Sequence, residues 1–309
     1  MTNSSVNILH GLLLIDKAAG MTSHDVVRKV RRIFQTRKVG HGGTLDPLAT
    51  GVLPVAIGDG TKILQFLLAE DKSYRATFKL GITTDTLDVD GQILLERSVP
   101  EFSLTDLEDI CSEFRGDIKQ LPPMFSALKK NGVPLYKLAR QGQTVERQHR
   151  DVTIQRLEII NCEAEEITIE VDCSKGTYIR SLISDIGERL GCGACLTDLR
   201  RTKSGDFSIN ECQTLENLQQ LDDLSSILLS LDEALRSCPA VQLNETAAAA
   251  LKFGIPPQRS QTQVDTEIVN GDLVRLQVNH KLAAMARYAP LRNKEKRGDY
   301  ELIRVFGSH

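Results

Sequence analysis

The sequence predicts an α+β fold: a mixed domain to about residue 238, followed by a small β-rich domain. Three patterns carry that expectation. Residues 74–80 alternate, with Tyr74, Ala76, Phe78 and Leu80 against Arg75, Thr77 and Lys79, the period of two expected of a half-buried strand. Residues 178–190 place Ile179, Leu182, Ile183, Ile186 and Leu190 on one helical face. Strand-like stretches at 273–278, 282–287 and 301–306 crowd the C-terminal end.

From the N-terminus, Gly11-Leu12-Leu13-Leu14-Ile15 reads as a buried strand, and residues 16–20 turn the chain. Thr22 or Ser23 caps the helix that follows. Its Val26, Val27, Val30, Ile33 and Phe34 share a face, leaving Arg28, Lys29, Arg31 and Arg32 outward. Residues 40–60 hold six glycines with Pro47 and Pro54, which reads as a loop that bends sharply or approaches something closely. In the acidic stretch 85–91, setting Gly91 at the sixth position of a calcium loop puts Thr86 first and Arg97 twelfth. Those ligands fail, so a hairpin-like turn is expected. Leu104, Leu107, Ile110, Cys111 and Phe114 form a short amphipathic helix stopped by Gly116. Residues 120–150 lose periodicity, carry Pro122-Pro123 and read as an exposed excursion. Strands follow at 152–160 and 167–173. Residues 213–237, acidic and Leu-rich, suggest helical connections, and an Ala-rich helix over 246–253 ends at Gly254.

Composition narrows the function classes. The chain has 309 residues, 41% hydrophobic and 26% charged, as in soluble globular proteins. No apolar run approaches the roughly 20 residues of a membrane span. The first ten residues lack the charged start and apolar stretch of a signal peptide, so the cytoplasm is expected. Seven scattered cysteines suit a reducing compartment. Cys192 and Cys195 form a C-x-x-C, but no second pair or nearby histidine completes a zinc site, and no metal is expected. The net charge of −3 argues against an indiscriminately basic nucleic-acid binder. Its distribution is uneven, however. Residues 25–41 carry Arg28, Lys29, Arg31, Arg32, Arg37 and Lys38 against Asp25, and residues 121–150 carry six basic residues against Glu146. A phosphate backbone needs only such a local track, although solvated helix faces account for the same charges equally well.

No P-loop, G-x-G-x-x-G, zinc set or Cys-His pair is present, which directs attention to the carboxylates. Asp46 stands apart from the rest. It lies within the glycine-rich loop, next to Pro47 and between Leu45 and Leu48. Such an acid is either an Asp-Pro turn former or a tuned reactive group, and its local context favours the turn.

The stretch Gly40-His41-Gly42-Gly43-Thr44-Leu45-Asp46-Pro47-Leu48-Ala49-Thr50-Gly51-Val52-Leu53 resembles the signature loop of the TruB family of tRNA pseudouridine synthases. Further stretches match in order: Asp16-Lys17 with Gly20-Met21-Thr22-Ser23, then Lys72-Ser73-Tyr74-Arg75-Ala76, then Ser174 to Leu182. Leu199-Arg200-Arg201-Thr202 with Ser204-Gly205 resembles the family's closing motif, and Pro122 to Lys129 the start of its RNA-gripping insertion. Ala18 departs from the pattern, standing where the family usually has proline. The match is strong over residues 10–208 and weaker over 240–309, where Gly271 to Leu276 suggests a PUA-like module.

The resemblance implies a mixed-sheet pseudouridine synthase catalytic domain over 1–238, with an insertion at about 117–150, and a PUA-like RNA-binding domain over 239–309. It implies an isomerase that turns a T-arm uridine of tRNA into pseudouridine, as a monomer without cofactor. Asp46 would be the nucleophile, Arg180 its partner and Tyr74 the residue stacked on the base. An ionised carboxylate in a cleft needs such a cation, because desolvation favours the neutral acid. A guanidinium suits the task because it is always charged and bonds bidentately. The target base must be flipped out of a folded arm, and His41 would help to open or fill the vacated space. Tyr178 and Leu199 would pack by the base. Arg28, Arg32, Lys129 and Lys130, with Arg287, Arg292, Lys294 and Arg297, are the candidate RNA contacts. Two other functions compete: an RNA-binding helper of tRNA folding without catalysis, and the same chemistry on another RNA.

Overall fold

The computed structural model describes residues 9–292 and 298–307. Lys294 and Arg297 lie outside the described residues. In chain order the elements are β1 (Gly11–Lys17), α1 (Ser23–Ile33), β2 (Val39–His41), β3 (Thr50–Ile57), α2 (Leu64–Leu67), β4 (Lys72–Leu80), β5 (Ile82–Thr84) and β6 (Ile93–Glu96). Next come α3 (Leu104–Ser112), β7 (Gly116–Gln120), β8 (Lys129–Lys130), β9 (Val133–Pro134), α4 (Leu135–Arg140), β10 (Arg150–Glu163), β11 (Glu166–Cys173) and α5 (Ile179–Leu190). The chain continues through β12 (Ala194–Ser204), β13 (Phe207–Ser208) and α6 (Leu215–Leu218). It ends with β14 (Ala240–Leu243), α7 (Glu245–Leu251), β15 (Thr262–Gln263), β16 (Leu273–Val278), β17 (Lys281–Tyr288) and β18 (Tyr300–Val305).

The central sheet runs β1-β3-β12-β4-β11-β10-β7, with β2 on β3 and β13 on β12. All its pairings are antiparallel except β3 with β12, which makes the sheet mixed, as expected. Alternation divides its faces. Leu13 and Ile15 join the core under α1 and α5, while Leu12 and Leu14 face the C-terminal module. Helix α1 begins where the sequence placed it: Thr22 accepts from the Asp25 amide, and Asp25 returns the bond in a capping box.

Two buried strands went unread in the sequence. β3 lies inside the stretch 40–60 read as a loop. Its Gly51 has φ +102°, and a Cβ there would stand 2.2 Å from the Arg201 carbonyl oxygen. The glycine that suggested a loop instead lets β3 lie against β12 at the parallel pair Arg201↔Gly51. β12 was hidden because a charged residue, Arg201, occupies an inward position. Residues 213–237 also differ from expectation. They form one short helix and 3-10 turns that bond along the outer edge of β1, where Leu229 pairs with Leu12 and Gln213 with Ile15. An exposed sheet edge is thereby covered.

The C-terminal sheet runs β15-β14-β16-β17-β18. Met285 and Phe306 pack from this module against Leu12, Leu14, Val52 and Ala56 on the back of the central sheet. Between β7 and β10 the chain leaves the sheet for the basic excursion, whose own elements are only β8, β9 and α4.

Candidate active site

The Asp46 loop is tied down from several sides. Ser23, opening α1, accepts from the Leu45 amide at 2.8 Å and donates to the Leu45 carbonyl at 3.2 Å. Arg201, 1% exposed, donates to the carbonyls of Gly43 at 3.2 Å, Thr44 at 3.4 Å and Val52 at 2.7 Å. Lys17 continues the inward face of Leu13 and Ile15, and its Nζ donates to the carbonyls of Ala18, Met21 and Pro47. Within the loop, the Ala49 amide donates to the Asp46 carbonyl at 3.1 Å. Asp46 is therefore a turn former through its backbone, and its side chain remains available for something else.

That side chain meets Arg180. Asp46 Oδ2 lies 2.8 Å from Arg180 Nη2, with the carboxylate 38% exposed and the guanidinium 4%. Arg180 also donates to the carbonyls of Thr86 at 2.6 Å and Phe125 at 2.8 Å, and its Nη1 stands 3.6 Å from Asp88 Oδ2. One planar fork thus joins the Asp46 loop, the β5–β6 turn and the first turn of the excursion. Burial pushes the Asp88 carboxyl up, opposed by the Thr86 hydroxyl and the Arg180 charge. Helix α5, which carries Arg180, is held at its start by buried Gln120. The Gln120 amide accepts from Tyr178 N at 2.8 Å and donates to Tyr178 O at 3.0 Å.

These groups surround a cavity of about 250 Å³. Asp46, Tyr74, Tyr178, Arg180 and Leu199 line it, as do Lys72, Ser126 and Arg201. Tyr74 arrives from β4 and Leu199 from β12, strands paired side by side. Burial raises the Tyr74 phenol, and the Arg201 charge beside it pulls the other way. Burial likewise raises the Tyr178 phenol. The Lys17 and Lys72 ammonium groups are each brought down to about 8, chiefly by burial.

Other expected residues lie elsewhere. His41 sits on β2 opposite Val55 and is absent from the cavity wall, and burial lowers its imidazole. Arg28, Lys29 and Arg32 border a shallow groove on α1 with Met21 and Asp25, and Arg28 pairs with Asp25. Lys129 and Lys130 are exposed on β8. Arg287 donates to the Gly271 carbonyl and Arg292 to that of Gly298.

Sequence reasoning gave no role to Lys17, Lys72, Asp88, Gln120 or Arg201. A signal existed for one of them, since Lys72 continues the inward register of Tyr74, Ala76, Phe78 and Leu80, where a charge needs a partner. Among the described residues, no cluster of His, Cys, Asp and Glu is arranged to hold a metal ion, and no helix is long and apolar enough to cross a membrane.

Residues 31–179 match the N-terminal domain of TruB family pseudouridylate synthases, and residues 180–236 match the tRNA pseudouridylate synthase B C-terminal domain. A relative from Syntrophotalea carbinolica named tRNA pseudouridine synthase B is 48% identical over 300 residues, covering 96% of this chain and 98% of its own. One of the same name from Geobacter sulfurreducens is 43% identical, covering 96% and 100%. Among solved structures, a chain of a Cbf5-Nop10-Gar1 complex superposes with a TM-score of 0.75 at 28% identity, covering 96% of this chain and 84% of that one. Identity approaching one half along almost the entire length of both sequences places this chain in the TruB family of pseudouridylate synthases.

Proposed function

We propose that the chain isomerises a T-arm uridine of tRNA to pseudouridine, with Asp46 as nucleophile. The observation that carries this reading is the 2.8 Å pairing of Asp46 with buried Arg180 at the wall of the cavity. At about 250 Å³ that cavity is smaller than the ~300–1,000 Å³ of drug-sized sites, which suits one extruded nucleotide rather than a duplex. In the reaction the C1′–N1 bond breaks, the base turns, and a C1′–C5 bond forms. The C5 hydrogen leaves and N1 gains a proton, so no electrons are exchanged. Asp46 forms a covalent link that divides this change into easier steps. Arg180 orients the carboxylate. The Tyr74 ring stacks on the base, and its raised phenol holds its proton at neutral pH.

RNA reaches the cavity along two basic elements joined to its rim. The α1 face carrying Arg28 and Arg32 is tied to the Asp46 loop through Ser23. The excursion carrying Lys129 and Lys130 begins at cavity-lining Ser126 and Ala127. Such a stem and loop is recognised mostly by shape and backbone. Transfer RNA as the substrate is supported by the 48% identity to a tRNA pseudouridine synthase B, against 28% to the Cbf5 complex chain. The free cysteines support residence in the reducing cytoplasm, where we take the chain to act as a monomer.

The test is release of tritium from T-arm RNA labelled at uridine C5. The intact chain is expected to release it, and Asp46→Ala to abolish release. Wild-type rates in that variant would refute the nucleophile. Binding without release by the intact chain would instead identify an RNA-folding helper.

A further inference from the structure

We propose that Arg201 is a positioning residue for the reaction, fixing the Tyr74 ring and the Asp46 loop to one another through a single buried guanidinium. The inference rests on the function proposed above. Arg201 stands directly opposite Tyr74 in the β12–β4 pairing and opposite Gly51 in the β12–β3 pairing. Its strand therefore lies between the strand that carries Tyr74 and the one that leads out of the Asp46 loop. The pairing of β12 with β4 shifts register between Arg201 and Lys203. Such an irregularity bends a strand and re-aims the side chain beside it. Here the side chain turns inward, 1% exposed, and forms part of the cavity wall.

A guanidinium offers five donors in one plane. Nε donates to the Val52 carbonyl at 2.7 Å, Nη1 to that of Thr44 at 3.4 Å and Nη2 to that of Gly43 at 3.2 Å. Those carbonyls lie on both sides of Asp46 in the chain. The Tyr74 hydroxyl accepts a further hydrogen bond from the same group. Because its oxygen accepts there, the phenolic proton is turned away from the guanidinium. One rigid fork thus sets the ring proposed to carry the base against the loop that presents the carboxylate. A lysine does not replace it, since an ammonium is a point charge on a flexible stem. The charge acts on the same cluster: after burial, Arg201 adds to the lowering of the Lys17 and Lys72 ammonium groups and of the His41 imidazole. Displacing a reacting group by about 1 Å costs on the order of 100-fold in rate. A base seated on the Tyr74 ring meets Asp46 at a distance that this fork determines.

The experiment compares single-turnover tritium release by the intact chain, Arg201→Lys, Tyr74→Phe and the double variant. T-arm RNA labelled at uridine C5 is the substrate, and rates are taken well below every melting midpoint. Arg201→Lys keeps the charge and loses the fork. It is expected to slow release about 100-fold, with the Kd for the RNA nearly unchanged. Tyr74→Phe keeps the ring and removes the hydroxyl through which Arg201 holds it. In that background the same lysine substitution is expected to cost about tenfold less, the scale of one hydrogen bond. A residue that only supports the fold slows both backgrounds alike. Equal factors therefore overturn the inference, while release by the intact chain leaves the function standing. A loss confined to Kd overturns the inference as well. No release by the intact chain overturns both. A second measurement needs no Arg201 variant. Tyr74→Phe leaves a buried N–H of Arg201 without its acceptor, and its thermal midpoint is expected to fall by about 2–4 °C. A midpoint at or above the parent's would show that the two side chains are not joined, and would overturn the inference.

Discussion

Lys17 sets a buried ammonium against three backbone carbonyls, one of them from the loop that presents Asp46. Burial lowers it from 10.5 to about 8 in the folded chain, with the Asp46 charge opposing. Between those values the unfolded chain keeps a proton that the folded chain has lost. Stability contributed by this group therefore rises with pH across that window, by the linkage of proton binding to folding. Replacement by methionine removes the effect. The stability difference between Lys17→Met and the intact chain is expected to be flat below about pH 8. It should then move in favour of the intact chain up to about pH 10.5. Denaturant titrations at several pH values measure it, and a difference that stays constant would show that Lys17 titrates as if exposed. Legibility at this scale divides by chemistry. Asp46, Tyr74 and Arg180 were readable because motifs flank them. Arg201 and Asp88 were not, because what gives each its role is a carbonyl or a cation from a distant segment.

The element with most leverage on the site is β3, which leads directly out of the Asp46 loop and touches β12 at Gly51. Gly51→Ala sets a methyl carbon 2.2 Å from the Arg201 carbonyl oxygen in a backbone at φ +102°. The strands must separate, and Arg201 must release some of its hold on Gly43, Thr44 and Val52. The expected cost is at least ~2 kcal/mol of stability, together with a large loss of tritium release. An alanine variant with the parent's melting curve and rate would show that the close approach is dispensable. β4, α1 and α5 were legible because each keeps one apolar period through its whole length. β3 and β12 broke the pattern with Gly51, Pro54 and an inward Arg201. Those exceptions are the residues that bring the two strands and the loop together.

Across the whole molecule, the C-terminal module is part of the core rather than an appendage. Met285 and Phe306 bury against the back of the central sheet, and Arg275 donates to the Cys238 carbonyl at 2.9 Å and pairs with Asp232 at 2.5 Å. Ending the chain at residue 238 uncovers that face. Two such side chains represent about 3–6 kcal/mol of burial. The truncated protein is expected to melt at least ~6 °C lower and to bind a hydrophobic dye. An unchanged melt would make the module a separable domain. The order in which the parts of the site are made has a further consequence. Val52 is held by an arginine 149 residues further along the chain. At about 5–20 residues per second, a ribosome needs roughly 8–30 s to supply that arginine after Asp46 has been added. A nascent chain can offer its basic first helix to RNA throughout that interval. It acquires the means to break a glycosidic bond only when synthesis is about two-thirds complete.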